Sequence, residues 1–305
     1  MRLGAHLGIS GGLAEAVREG RRIGCESLQV FSKSPQMWSG PAIPPEAAEA
    51  FRVAVRAEGL RATAVHHGYL ANLGSPKAFM LKRSRAAFVD EMHRAELLGV
   101  DALIFHPGAH LGSGVEAGLR TIAESLRFAL EEAPEGHVCL LLENAAGQGT
   151  TLGSKFEELA SVLSQADRRD RLGVTLDTCH LFAAGFDFRD ESNYGGLMDQ
   201  VERVLGRETV RAFHLNDAKA GLGSHLDRHE NIGKGEIGAE GFRHLVTDPR
   251  WKETPGYLET PLDDRGYARY AADLRTLRSL AEPPAAPAKA RTTARRSATR
   301  GSTVK

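Results

Sequence analysis

Cysteine is scarce in this chain. Cys25, Cys139 and Cys179 are the only three among 305 residues, and they lie far apart. An odd, widely spaced set excludes a disulfide framework and a cysteine-type zinc site. It leaves small buried residues in a reducing compartment. Net charge is also missing: 39 Lys and Arg balance 39 Asp and Glu. That excludes a uniformly basic nucleic-acid binder, but not a local basic groove, because an average hides the distribution. Long apolar runs are absent. No window approaches the ~18 consecutive apolar residues of a membrane span. The start, Met1-Arg2-Leu3-Gly4-Ala5-His6, carries no apolar run ending in a cleavage site. A cytoplasmic protein without membrane contact is expected.

What is present is ordinary globular material, 42% hydrophobic and 26% charged, enough to bury a sizeable core. Short aliphatic runs alternate with longer amphipathic stretches. Strands are predicted at 3–9, 27–31, 62–66, 102–106, 138–143, 173–177, 211–214 and 257–259. Helical stretches between them include 12–23, 45–58, 77–98, 118–132, 156–166 and 194–204. Strand–helix alternation predicts a parallel sheet, and eight rounds of it predict closure. The fold expected is a single α/β (β/α)8 TIM barrel over residues 1–281. From Pro283 the composition changes to Pro, Ala and basic residues (Lys289, Arg291, Arg295, Arg296, Arg300, Lys305), with no acid. Residues 282–305 are therefore expected to be a disordered basic tail, either merely solvated or suited to a phosphate backbone.

Six predicted strands end in a residue able to bind metal or move protons: His66, His106, Glu143, Asp177, His214 and Glu259. Barrel active sites form at the C-terminal ends of the strands, so the six converge. Two further pairs extend the set. Asp177 and His180 lie three apart, where a strand turns into a loop. Asp227 and His229 lie two apart, on one side of an extended segment. Imidazole and carboxylate without thiolate suit zinc, and also manganese or iron. Nine candidates are too many for one ion and enough for three, with one carboxylate shared; Glu143, ending a central strand, is a sensible bridge. Clustered ions lower the pKa of a shared water and neutralise phosphoryl oxygens, which suits phosphodiester hydrolysis.

Longer segments surround these residues. They include His66-His67-Gly68-Tyr69-Leu70-Ala71-Asn72-Leu73-Gly74 and His106-Pro107-Gly108-Ala109-His110. Others are Glu143-Asn144-Ala145-Ala146-Gly147-Gln148-Gly149, Asp177-Thr178-Cys179-His180, His214-Leu215-Asn216-Asp217 and Asp227-Arg228-His229. Together, over about residues 4–280, the chain closely resembles the endonuclease IV family of abasic-site endonucleases. The resemblance implies a (β/α)8 barrel with three zinc ions, manganese being admissible in one site. It gives His66, His106 and bridging Glu143 to one ion. It gives Glu143, Asp177, His214 and Glu259 to a second, and His180, Asp227 and His229 to the third. It makes His66, not its neighbour His67, the ligand. It implies cleavage of double-stranded DNA 5′ to an abasic site, leaving a 3′-hydroxyl and a 5′-deoxyribose phosphate, with trimming of 3′ ends as a further activity. Glu143 is the residue expected to be catalytic.

An abasic nucleotide costs least to rotate out of a duplex, and the gap must then be wedged. Tyr69 and Leu70 resemble the family's wedge, and the loop 32–38, with Gln36 and Trp38, resembles a second DNA-penetrating loop. Where Gln36 stands, the resemblance expects arginine; glutamine keeps hydrogen-bonding reach but loses the charge and the stacking plane. Lys33, Lys219, Arg228 and Lys234 are candidate phosphate contacts. His6, at the end of the first strand, is expected to orient a ligand through a hydrogen bond. Two rivals share the barrel: a metal-dependent sugar isomerase or epimerase, which has no use for His180, Asp227 and His229, and a non-catalytic DNA-damage sensor, which would have lost a ligand. A monomer is expected.

Overall fold

The computed structural model describes residues 1–282 apart from 134, 169 and 265; the expected tail beyond Glu282 lies outside them. The first half of the chain runs β1 (Arg2–Leu7), α1 (Leu13–Arg22), β2 (Ser27–Val30), α2 (Pro45–Glu58), β3 (Ala62–His66), α3 (Ala78–Leu98), β4 (Ala102–Phe105) and α4 (Val115–Glu132). It continues through β5 (Cys139–Glu143), α5 (Phe156–Ala166), β6 (Leu172–Asp177), α6 (Thr178–Ala183), α7 (Glu191–Val204) and β7 (Val210–His214). The last part is β8 (Asp217–Ala218), β9 (His229–Glu230), α8 (Gly238–Thr247), β10 (Pro255–Leu258) and α9 (Ala268–Ala281). Eight strands close a barrel in the order β1-β10-β7-β6-β5-β4-β3-β2, every neighbouring pair parallel. This is the (β/α)8 TIM barrel expected from the alternation.

Period two sorts each strand's side chains into two cores. Outward residues such as Leu28, Val65, Leu103, Leu140, Val174 and Phe213 join the helices in one large apolar cluster. Inward, Ala64, Ala102, Ile104, Cys139, Leu141, Ala212 and Tyr257 fill the barrel itself. Small residues are needed there: a Cβ on Gly4 would lie 1.9 Å from the Ser27 carbonyl oxygen. The next inward layer toward the C-terminal ends is polar: Gln29, His66, Glu143, Asp177 and His214 are all buried.

Some boundaries differ from those read in the sequence. β1 stops at Leu7 because the Gly8 N–H donates to the Tyr267 hydroxyl, at 2.7 Å, and not to a neighbouring strand. His106 and Glu259 sit one residue past β4 and β10. The segment after Asp177, expected to turn into a loop, is helix α6. Its start is capped by Asp177, whose Oδ1 accepts the His180 N–H at 2.8 Å, the preferred role of aspartate at that position. A register shift between Val174 and Thr175 then sets Asp177 opposite His214.

Candidate metal centre

Glu143, at the end of β5, lies at the middle of the site. Its Oε2 is 3.1 Å from His66 Nε2 and 3.6 Å from His106 Nδ1. Its Oε1 is 2.9 Å from His214 Nδ1 and 3.3 Å from His180 Nδ1. His214 Nδ1 also faces Glu259 Oε2 at 3.4 Å and Asp177 Oδ2 at 3.8 Å. Asp227 stands between His180 and His229, at 3.2 and 3.1 Å from their Nε2 atoms. His229 belongs to the β8–β9 hairpin, and its Nε2 is 3.7 Å from Asp177 Oδ2. All nine sequence candidates are thus brought together. Among the described residues, the groups whose ligand atoms lie within 4.8 Å of one another include His66, His106 and Glu143; Glu143, Asp177, His214 and Glu259; and His180, Asp227 and His229, with His66, His214 and Glu259 overlapping the first two.

Burial alone would raise the Glu143 carboxyl, but the facing His214 and His106 and hydrogen bonds from His180 and His214 hold it well below the usual range. Burial opposes ionisation of Asp227 and Glu259 as well, yet neighbouring imidazoles hold both carboxyls down. The imidazoles respond in kind. Against burial, Glu259 and Glu143 lift His214 to about 9, and Asp227 and Asp177 lift His229 to about 9. His106 moves the other way, lowered chiefly by burial.

The donor set fits metal ions. Ring nitrogens on one side are tied to main-chain carbonyls: His66 Nδ1 to His67 O at 2.7 Å, His180 Nδ1 to Asn144 O at 2.8 Å, and His229 Nδ1 to Glu259 O at 3.2 Å. In each ring Nε2 is left facing the cluster, the arrangement by which outer hydrogen bonds orient metal-binding histidines. His180 Nε2 and His229 Nε2 are buried and face the Asp227 carboxylate at 3.2 and 3.1 Å without completing a hydrogen bond to it, an arrangement a bound cation would complete. Cys179 Sγ falls within the same distance of Asp177 and His229, but burial, with Asp177 adding to it, pushes its thiol up to about 12, which disfavours a thiolate ligand.

Three supporting residues escaped the sequence reading. Gln29 Oε1 accepts from His214 Nε2 at 2.9 Å, while its Nε2 donates to Glu259 Oε1 at 2.6 Å. Asn216 donates to Asp177 Oδ2 at 2.6 Å and accepts the Glu259 N–H at 2.8 Å. Asn144 Oδ1 accepts the Asp177 N–H at 2.6 Å. A polar residue on the inward face of an apolar strand was the available signal for Gln29. His6 contacts Glu259 Oε1 through Nδ1 at 2.9 Å. His67 is buried against Phe88, with ring centroids 5.4 Å apart, and turned from the cluster.

Above the cluster, Tyr69 is 63% exposed and Leu70 39%. The Tyr69 ring centroid is 6.4 Å from both His66 and His106. A cavity of about 330 Å³ opens beside it, lined by Asn72, His106, Gln148, His180 and Asp227 among others. Gln36 is exposed; Trp38 is half-buried beneath the Arg83 guanidinium, 4.3 Å from the ring centroid. Arg228, Lys219 and Lys234 are exposed. Lys33 is not: its side chain is 6% exposed and paired with Glu91 and Asp90. The expectation of a Lys33–phosphate contact is therefore corrected, because the charge is already spent inside the protein.

Residues 17–280 match the family model described as xylose isomerase-like TIM barrel. A protein of Chloroflexus aurantiacus, named probable endonuclease 4, is 43% identical over 281 residues, 92% of this chain and 98% of that one. A protein of the same name from Chlorobium luteolum is 46% identical over 270 residues, 88% of this chain and 96% of the other. Among solved structures, endonuclease IV from Thermus thermophilus superimposes with a TM-score of 0.81 at 37% identity, covering 92% of this chain and 98% of that one.

Proposed function

The chain belongs to the endonuclease IV family, and on that premise we propose that it incises duplex DNA on the 5′ side of abasic sites. Water adds across the P–O3′ bond. The phosphate stays with the abasic sugar as a 5′-deoxyribose phosphate, and the departing O3′ takes a proton to leave a 3′-hydroxyl. The same hydrolysis at a blocked 3′ terminus is end trimming.

The observation that carries the reading is the convergence of nine imidazole and carboxylate side chains into three adjoining groups, two of which share Glu143. His66, His106 and Glu143 would hold one zinc ion; Glu143, Asp177, His214 and Glu259 a second; His180, Asp227 and His229 a third, with manganese compatible with one site. When bound, such ions supply positive charge to phosphodiester oxygens and make water more acidic. The protein's own contribution is to keep Glu143 anionic and shared, and to aim His66, His180 and His229 through main-chain carbonyls and His214 through Gln29. Tyr69 and Leu70 would fill the gap left by the missing base, with Gln36 and Trp38 on the adjoining loop and Arg228 on a phosphate. A monomer suffices, since one chain carries the whole site. The sugar-isomerase alternative shares the barrel, but the third group and the exposed Tyr69–Leu70 pair have no task in it.

The test is incision of a labelled duplex containing one abasic-site analogue, without added magnesium, before and after prolonged chelation. Cleavage 5′ to the lesion, lost on chelation and restored by zinc, is expected. A folded, metal-loaded protein that leaves the duplex intact would refute the reading. Glu143→Gln is expected to abolish incision while the barrel stays folded, and near-wild-type turnover would remove its bridging role.

A further inference from the structure

One face of α3 is devoted to the loop that follows β2. Arg83, Asp90, Glu91 and Arg94 recur at helical spacing, so they share that face, and each touches the loop or a residue that does. At its root, Lys33 pairs with Glu91 and, at 3.1 Å, with Asp90, while the Ser32 hydroxyl donates to Glu91. At its far end, Arg94 Nη2 donates to the Gly40 and Pro41 carbonyls, each at 2.9 Å, and its Nε donates to Asp90 at 2.9 Å. Between them, Arg83 lies over Trp38. The two ends of the loop are drawn into contact: a Cβ on Gly40 would lie 2.8 Å from Lys33 Cβ.

The same loop grips the next one. Tyr69 N–H donates to the Pro35 carbonyl at 3.1 Å. Gly68 passes so close that a Cβ there would lie 2.7 Å from that oxygen. Gln36 and Met37, at the tip, remain exposed.

Lys33, Glu91 and Arg94 side chains are only 6%, 1% and 7% exposed. Burying such charges costs desolvation that a packed apolar cluster would avoid. A flexible loop, in turn, loses affinity to the ordering it undergoes on binding, and pre-ordering removes that loss.

We infer that the buried Lys33–Glu91–Asp90–Arg94 network positions the DNA-reading surface: it presets the 32–41 loop and, through Pro35, the Tyr69–Leu70 segment. This rests on the reading that those segments enter DNA. The four are positioning residues, remote from the reacting phosphate, so their loss acts on substrate capture and not on turnover.

The test compares steady-state incision of an abasic-analogue duplex by Lys33→Met/Glu91→Leu, which leaves neither charge of that pair unmatched by the other, and by Arg94→Met. Arg94→Lys serves as the conservative variant and Gln36→Ala/Met37→Ala as the tip control. Circular dichroism and melting confirm the barrel in each. The network variants are expected to raise KM about tenfold or more with kcat within about twofold. Arg94→Lys, keeping a positive charge but not the planar fork that reaches Asp90 through Nε and both carbonyls through Nη2 at once, falls between. If the folded network variants keep the wild-type KM while the tip control raises it, the network proposal falls and the loop reading stands. If the tip control also leaves KM unchanged, the loop reading falls and takes the network with it.

Discussion

Gln36 is exposed at the tip of a loop held at both ends by α3. It stands where the family resemblance expects arginine. A neutral amide there forgoes the charge and planar stacking that arginine would add. Gln36→Arg is therefore expected to tighten binding to an abasic duplex several-fold, read as Kd at matched salt; equal affinities would sink the idea. Gln29 makes the opposite point, an uncharged residue placed where it matters. It links His214 to Glu259 from inside the barrel. Gln29→Leu is expected to weaken metal affinity by about 10–100-fold, as for other outer hydrogen-bond partners of metal ligands. Competition with a chelator of known affinity measures it, and an unchanged affinity would reduce Gln29 to packing. Neither effect follows from composition. The role of Gln29 depends on which face of β2 points inward, and the burial of Lys33 depends on Glu91, 58 residues away.

Among the elements, the connection between β7 and α8 carries the most chemistry on the least regular structure. Asp227 and His229 lie on it, and its two-residue strands β8 and β9 pair with each other in a small sheet apart from the barrel. The buried Asp217 carboxylate holds the segment's return, accepting the N–H groups of Ala218, Gly235 and Ile237 at 2.8, 3.0 and 3.0 Å. Removing it strands several buried donors, so Asp217→Ala is expected to cost about 3 kcal/mol of stability. Denaturant unfolding checks this, and a change under about 0.5 kcal/mol, the range of an ordinary surface substitution, would contradict it. The long amphipathic helices were legible, because burial such as that of Leu119, Ile122, Ala123 and Leu126 repeats at helical spacing. The six-residue α6 was not, since so short a helix has no period to detect and its start is set by the Asp177 cap.

On the scale of the whole molecule, the cluster would couple protons to any metal ion it binds. His214 and His229 are raised to about 9, above the ordinary ~6.5 of an unfolded chain. Their ion pairs stabilise the metal-free fold fully below that unfolded value, and the contribution fades as pH rises through about 9. Metal must displace those protons, so its affinity changes in the opposite sense. The Tm of chelated protein is expected to fall between about pH 6.5 and about 9 while zinc affinity rises; parallel trends would contradict the linkage. The eightfold alternation of strand and helix was decided by sequence alone, because burial on two faces leaves a periodic apolar pattern in the chain. So was the chemical type of the nine candidate ligands, since each stands at a strand end or in a short pair that the pattern exposes. Tertiary packing decided the rest. It set the sharing of Glu143 among four histidines, the aiming of His180 and His229 by remote carbonyls, the bridge of Gln29 from His214 to Glu259 and the loss of Lys33 to the carboxylates of α3. Those depend on distances between segments remote in the chain, and no local pattern encodes them.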